Sequence, residues 1–541
     1  MKMRLLQYSC IVAAFIAFGL GFGPRTIIAA QEKAPVPDED VQVLASGPIH
    51  EAFAEAVALD PEPGIVAPKK PPALIEEVPP EQKPEGDVQW IPGYWAWDDE
   101  RNEYIWVSGI WRVPPPGRQW VPGYWAPVTQ GYQWISGYWA SVQAEETEYL
   151  PEPPESVEVG PSSNAPSSNY SWIPGCWVWH YGRYAWRPGY WAVVRPEWIW
   201  VPDHYIWSPR GYIFVGGYWD YPVIHRGVLF APVFFPPRVY LGLTFSFSPG
   251  FVISLSVFDD ALFLRPRYCH YYYGDYYAPK YYRRGIYPWF SLHARRVVYD
   301  PIYAHQRWQH RNDHEWENRL QTRFHERREN EGLRPPRSFD YRKGPEKAGK
   351  SSRPQRLNFV MPLERAEKTK ASAYHFKPLS EKERREFSQR EREVRTYQNE
   401  RQSRETRREN MMNQEASRKA SPNKEKFSRS PIMDKSKEKV DRKKAPPARY
   451  KTPKPNPNVE PLQRRDDLSR SWGKSRNSED RVQKAAPSTS RLRRAEEVRV
   501  EPSRDNVQKS GNRGRLAEDR EQKSNSRLQR GEDGRQRWNE R

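Results

Sequence analysis

The residues of this chain best suited to chemistry are few and scattered. Gly344-Pro-Glu-Lys-Ala-Gly-Lys-Ser351 satisfies the pattern GxxxxGK[ST], whose backbone N–H groups cradle a phosphate when a buried strand precedes the loop and a helix follows it. Here Asp340-Tyr-Arg-Lys343 precedes and Pro354 follows, so neither element is legible and the match reads as coincidence. His305, His310, His314 and His325 gather near Asp313 and Glu315. His310 and His314 stand one helical turn apart, a spacing at which two imidazoles share a zinc ion, yet the would-be HExxH ends in Asn318. Solvated helix histidines are the better reading. The carboxylate pairs Asp98-Asp99 and Asp259-Asp260 fall at turns and strand ends, where acids are favoured for solubility alone. There is no GxSxG elbow, no CxxC pair and no credible Cys/His combination. No catalytic, cofactor-binding or metal-ligating set emerges, and neither a cofactor nor an enzymatic activity is expected.

Tryptophan is the remaining chemically distinctive residue, because an exposed indole stacks on sugar rings and bases. Of the 23 tryptophans, 18 lie between Trp90 and Trp219. They follow a W-x-x-G-x-W pattern whose clean copies begin at Trp90, Trp106, Trp120, Trp134, Trp172 and Trp186. Two copies are worn: Trp200-Val-Pro-Asp-His-Tyr205 has lost its glycine and second tryptophan, and Phe214-Val-Gly-Gly-Tyr-Trp219 has Phe in the first place. Successive starts are 16, 14, 14, 38, 14, 14 and 14 residues apart, which makes two blocks of four. A unit this small cannot bury its own apolar face, so the copies must stack or close on one another. Most indoles then belong to a shared core, since 18 solvent-facing rings would aggregate. The rings left over at the ends and in the worn copies, Trp90, Trp95, Trp200, Tyr205, Phe214 and Trp219, are the candidates for ligand stacking.

Two turn signals alternate through the repeats. One is Pro-Gly or Ser-Gly inside the motif, read as a type II turn in which glycine supplies a positive φ. The other lies between motifs, at residues 98–102, 129–131 and 180–183. Short aromatic segments of period two separate them, such as Trp177-Val-Trp179 and Tyr184-Ala-Trp186, so a meander of short hairpins is expected. Cys176 stands where other copies have Tyr or Ile, and Cys269 lies far beyond the repeats. An oxidising compartment would let the two pair as a disulfide; replacement of an aromatic residue by Cys is the competing reading.

The motif and its spacing resemble the bacterial WxxGxW (YXWGXW) repeat proteins, over about a quarter of the chain from Trp90 to Trp219. The resemblance implies export and an envelope setting. It brings no catalytic residues with it.

Around the repeats, composition sets the boundaries. Residues 1–30 read as a signal peptide, with Lys2 and Arg4 ahead of an apolar run from Leu5 to Phe22 and a small-residue exit at Ala29-Ala30; left uncleaved, the run would serve as a membrane anchor. Residues 31–87 form a Pro/Glu-rich linker that holds the repeats at a distance, with a short helical stretch around His50 to Leu59. Repeat block 1 spans 88–140, a second linker 141–170, and repeat block 2 spans 171–222. In 223–299, two alternating runs, Val239 to Ser248 and Phe251 to Phe258, flank Pro249-Gly250 and predict an apolar β-hairpin. A tyrosine cluster from Tyr268 to Pro288 follows, either an adhesive surface loop or a lid packed over that hairpin. Residues 300–415 carry charged helical segments, one over His305 to Asn330 and a solvated one over Ser380 to Met412. Residues 416–541 read as a basic disordered tail. The fold class expected is mainly β: an aromatic short-strand repeat region plus an apolar β-hairpin, followed by a charged helical and disordered C-terminal region.

Charge divides the chain as well. Residues 1–300 carry a net charge of −7 and residues 301–541 carry +26, within a total of +19. An exported protein so built reads as a non-enzymatic envelope interaction or scaffold protein of the periplasm, envelope or exterior. Its basic tail would hold an anionic polysaccharide, a lipid headgroup surface or an acidic protein. A glycan-binding module that uses exposed repeat tryptophans is the first alternative. Nucleic-acid binding through the tail is the second, and export disfavours it.

Overall fold

Across one antiparallel ladder Trp90 faces Trp111, and across another Trp95 faces Trp106. Both ladders belong to a single register, with Ile91 opposite Ile110 on one side of the motif glycine and Tyr94 opposite Val107 on the other. Two consecutive motif copies therefore make one long hairpin, folded over where Pro92-Gly93 meets Ser108-Gly109. The computed structural model, which describes residues 41–240, 245–291, 298–339, 358–368, 375–407, 423–435 and 446–461, repeats this build. The hairpins span residues 89–112, 118–141, 170–193 and 199–220, and each keeps one register through its bend. The eight copies are thus four pairs. A spacing of 14 within a pair leaves a two-residue tip, and the spacing of 16 in the first pair leaves the four-residue tip Asp99 to Asn102.

Ring pairing follows from the register. The first tryptophan of each clean copy meets the last one of its partner, with centroids 5.1 Å apart for Trp90 and Trp111, 5.2 Å for Trp95 and Trp106, and 5.3 Å for Trp177 and Trp186. Most of these pairs are edge-to-face or tilted, the arrangement the ring quadrupole favours. In the worn pair the same positions hold Trp200 against Trp219 and Tyr205 against Phe214.

The motif glycine has a different reason from the type II turn expected for it. Left-handed φ occurs at hairpin tips, at Asn102, Gly131, Tyr181, Gly182 and Gly211, and at none of the motif glycines. What the motif glycine supplies is room. A Cβ on Gly109 would lie 2.5 Å from the Trp90 ring, on Gly137 2.4 Å from Trp120, on Gly175 2.5 Å from Trp186 and on Gly189 2.3 Å from Trp172. Each glycine lies beneath the first indole of the partner copy, so W-x-x-G records two strands that must approach closely. The two worn copies then read as one event. Asp203 occupies a glycine position and Phe214 occupies the indole position that would cover it, so the residue that gained a side chain faces the ring that became smaller.

The rest of the described chain is packed around the hairpins, within a unit that extends to Arg464. Residues 41–87 do not stand off as a linker. They thread through the fold as short edge strands: Gln42–Val43 on Val233–Phe234, Gly47–Pro48 on Tyr272 and Tyr273, Val57–Ala58 on Val298–Tyr299, and Val66–Ala67 on the second hairpin. Val43, Ala45 and Phe53 from this strap share a core with Trp95, Trp106, Trp120 and Trp139. Around His50 the chain makes a turn, with Phe53 N–H donating to the His50 carbonyl, instead of the short helix expected. Proline-rich chain is extended, and extended chain serves as an edge strand wherever its donors face a neighbour.

The apolar hairpin predicted across Pro249-Gly250 does not form. Ser246–Phe247 pairs in parallel with Glu76–Glu77. Phe251–Ile253 lies between Val360–Pro362 and residues 229–231, and Val257–Asp260 is a short helix. A lone two-stranded hairpin would leave both edges and one apolar face open, and distant partners satisfy them better. Tyr271, Tyr273, Tyr277 and Tyr281 are buried, so the tyrosine cluster is core and not an adhesive loop.

Helix formation matches the charged segments in part. The expected helix over His305 to Asn330 is interrupted, running as Pro301–Gln309 and Trp316–Glu329. The long helix Glu381–Glu405 opens with a capping box between Ser380 and Glu383. It is not solvated all round, because Phe387, Glu391, Val394, Tyr397, Arg401 and Glu405 are buried against the repeats. Parts of the region read as a disordered tail are also placed. Asn423–Lys426 pairs with Glu146 to Tyr149, Ile432 accepts from Trp120 N–H, and Tyr450 packs on Trp200 and Trp219. Among the described residues no helix is long and apolar enough to cross a membrane; the N-terminal apolar run and the GxxxxGKS stretch lie outside them.

Candidate functional site

A strand folded over at its middle cannot pair its own backbone there, and buried N–H and C=O groups left unpaired cost free energy. The hairpin bends meet this with carboxylates. In the first hairpin Glu77 accepts from Gly93 N–H at 2.7 Å, from Gly109 N–H at 2.9 Å and from Trp106 Nε1–H at 3.0 Å. In the second, Glu51 accepts from Gly137 N–H at 3.0 Å and from Trp134 Nε1–H. In the third, Glu158 accepts from Gly175 N–H and, at 3.1 Å, from Trp172 Nε1–H. The fourth uses Asp203, which stands at a lost glycine and accepts from Gly217 N–H. The same pair of donors, a motif glycine and a first tryptophan, is answered by an acid in three hairpins, and the worn hairpin carries its acid within itself.

Carbonyls on the other side of the bends take cations. Arg401 of the long helix donates to Pro122 O at 2.8 Å and Ser136 O at 3.0 Å, and its charge is met by Glu405 at 3.1 Å. Arg118 donates to the Gly216 and Gly217 carbonyls. The ends of the first and fourth hairpins are joined by the buried pair Arg112 and Asp220, with bonds of 2.7 and 2.8 Å.

These acids sit in different fields. Burial raises the Glu77 carboxyl to about 7, against the lowering effect of its three donors, and the Glu391 charge on the neighbouring helix adds to the rise. Burial also pushes Glu51 upward, but the His270 ring, Gly137 N–H and Trp134 N–H outweigh it and hold that carboxyl below its ordinary value. Glu55 goes the other way, raised well above the carboxylate range by burial and by the Glu51 charge. His50, one residue before Glu51, is lowered to about 4 by burial and lies 3.2 Å from the Pro92 carbonyl.

Glu51, Glu55 and His270 form the one group of three potential metal ligands found among the described residues, their donor atoms all within 4.8 Å of one another. His270 Nε2 is 2.6 Å from Glu51 Oε1. The cluster borders a cavity of about 70 Å³ that also touches Trp134, His204, Arg226 and Cys269.

Comparison with known families reaches the same hairpins. The model of the WXXGXW repeat, which spans two copies, matches residues 89–112, 120–140 and 168–192. These segments are WXXGXW repeats. Each match covers one bent hairpin, so the family's two-copy unit is the structural unit. The fourth WXXGXW hairpin, residues 199–220, lies outside the match yet keeps the same register and ring pairing. No curated protein and no solved structure was found to match the chain.

The rings proposed for ligand stacking lie mostly inside the WXXGXW hairpins. Trp90, Trp95, Trp200, Tyr205 and Trp219 are 8% exposed or less, and Phe214 is half-buried. The half-buried indoles of the stretch are Trp125, Trp172, Trp179, Trp191, Trp198 and Trp207, and three of these six, Trp172, Trp179 and Trp191, lie in the third hairpin. Cys176 and Cys269 are both free thiols, so of the two readings the disulfide between them is not formed; Cys176 instead accepts from Arg187 at 2.9 Å. His310 caps the first short helix and stacks on Trp316 with centroids 4.9 Å apart, while His314 falls in the break between helices. They are not one helical turn apart, which removes the geometry for a shared metal. The acids that matter, Glu51, Glu77 and Glu158, come from segments read as linkers. Glu77, 13 residues before Trp90, and Glu158, 14 before Trp172, share a spacing that could have signalled them, whereas Glu51 lies 69 residues before Trp120 and carries no such signal.

Proposed function

We propose that this chain is a non-enzymatic, exported envelope protein in which the WXXGXW hairpins build a rigid scaffold and the basic C-terminal region holds an anionic polymer or headgroup surface. The observation that carries this reading is the use made of the reactive-looking groups. The repeat acids accept backbone N–H groups at the bends, and the clean-copy indoles of the first two hairpins are largely buried against each other. Groups fixed in this way hold a shape. The N-terminal pattern supports export, and the net charge of +26 after residue 300 supports an anionic partner.

The test uses the full-length protein against an acidic polysaccharide and against vesicles containing anionic lipid. Binding to either should weaken by more than tenfold between about 0.05 and 0.5 M salt, because exposed charges are then screened. Binding that persists at high salt, or no binding to either, would contradict the tether.

A second reading, glycan stacking, gains support from the half-buried rings of the third hairpin and from Tyr181, 92% exposed at its tip. A neutral glycan whose binding is lost in Trp191→Ala and kept in high salt would favour that reading over the scaffold.

A further inference from the structure

Glu51 and Glu55 place two carboxylates and His270 places one imidazole around a single point, although His270 lies 219 residues from Glu51 in the chain. The three do not have equal work. Glu51 is oriented by the second hairpin, through Trp134 Nε1–H and Gly137 N–H. His270 is oriented by its strand, His270–Tyr273, and by its contact with Glu51. Glu55 is half-buried, accepts no described hydrogen bond and faces the like charge of Glu51. A carboxylate in that position calls for a cation or a proton.

We propose that Glu51, Glu55 and His270 bind one divalent transition-metal ion of the zinc type. One imidazole and two carboxylates make a borderline donor set that suits zinc, cobalt(II) or manganese(II) better than calcium or copper(I). Donors about 2.0–2.2 Å from an ion stand roughly 3.5 Å apart, so atoms now within 4.8 Å close on it with side-chain shifts of about 1 Å. The cavity of about 70 Å³ beside the cluster has room for a water to complete the shell. The bonds from Trp134 and Gly137 to Glu51 then act as the outer contacts that aim a metal-bound carboxylate. The ion clips the N-terminal strap to the strand His270–Tyr273 at the second hairpin, a role that needs no catalysis. Cys269, next in sequence, turns its thiol toward the Pro266 carbonyl at 3.6 Å and is not a ligand.

The test is titration of chelator-treated full-length protein with zinc, followed by calorimetry and thermal melting, and with cobalt(II), followed by its visible spectrum. One equivalent should bind and raise the melting temperature. Glu55→Gln should fold and weaken binding at least tenfold, since Glu55 holds no hairpin bond. His270→Ala should do the same; if that variant does not fold, Glu55→Gln decides. Cys269→Ser and Glu77→Gln should bind as the wild type does. A wild-type protein that takes up no metal, or a Glu55→Gln variant that binds unchanged, would overturn the site. A Glu55→Gln variant that melts higher while the wild type stays metal-free would show that the two acids share a proton instead, and would overturn it too.

Discussion

The carboxylate of Glu77 accepts the backbone N–H of Gly93, sixteen residues further on, at 2.7 Å. That bond joins a segment outside the repeats to the turn inside one, and Glu51 and Glu158 repeat it in the next two hairpins. The first three WXXGXW hairpins are therefore incomplete by themselves: two copies supply rings, room and donors, and an acid from elsewhere in the chain closes the bend, whereas the fourth carries its own acid, Asp203. From this follow consequences that can be measured.

Room beneath the indole is the first. Gly109→Ala would place a methyl 2.5 Å from the Trp90 ring and 2.7 Å from the Ile91 carbonyl, both fixed by packing, and should cost about 2 kcal/mol or more. Gly250→Ala meets nothing within 4 Å and has no left-handed φ; it should melt like the wild type. Equal stability of the two variants by chemical denaturation would refute the close-approach reading.

The worn pair supplies a second. If Asp203 and the smaller ring at Phe214 compensate one another, Phe214→Trp alone should destabilise, and it should be better tolerated together with Asp203→Gly. A double-mutant cycle should give a favourable coupling of about 1 kcal/mol or more. Simple additivity would mean that the two replacements are independent.

Acidity supplies a third. Glu77 has a folded value near 7 against 4.5 for the ordinary group. Between those limits the folded state holds more protons than the unfolded one, so this group's contribution is fully present below pH 4.5 and is lost as pH rises through 7. The difference amounts to about 3 kcal/mol. Stability of the wild type, corrected for other groups by comparison with Glu77→Gln, should fall between pH 5 and 7. Identical pH profiles for the two proteins would contradict the shift.

How much of this the sequence disclosed depends on the range of each interaction. The period, the hairpin tips and the need for neighbours are local or nearly so, and Trp90 to Trp219 carries them openly. The role of Gly109 is not legible locally, because a glycine in a Pro-Gly or Ser-Gly pair signals a turn just as readily as it signals close approach, and only its partner Trp90 tells them apart. The acids were hidden because Pro/Glu-rich chain from 31 to 87 has the composition of a spacer, and Glu51 meets Gly137 across 86 residues. In the helix Glu381–Glu405 half of the buried stripe is charged, Glu391, Arg401 and Glu405, so an apolar periodicity could not reveal that it docks. The cluster of Glu51, Glu55 and His270 has no sequence spacing at all, since a turn and a distant strand assemble it.

The measurement closest to the central claim, that the repeat rings form the hairpins' own core, is oxidative footprinting of the full-length protein, read residue by residue by mass spectrometry. Trp90, Trp95, Trp106 and Trp111, all 2% exposed or less, should be protected, while the half-buried Trp172, Trp179 and Trp191 should react. Rapid oxidation of the first hairpin's tryptophans, at the rate of those in the third, would contradict it.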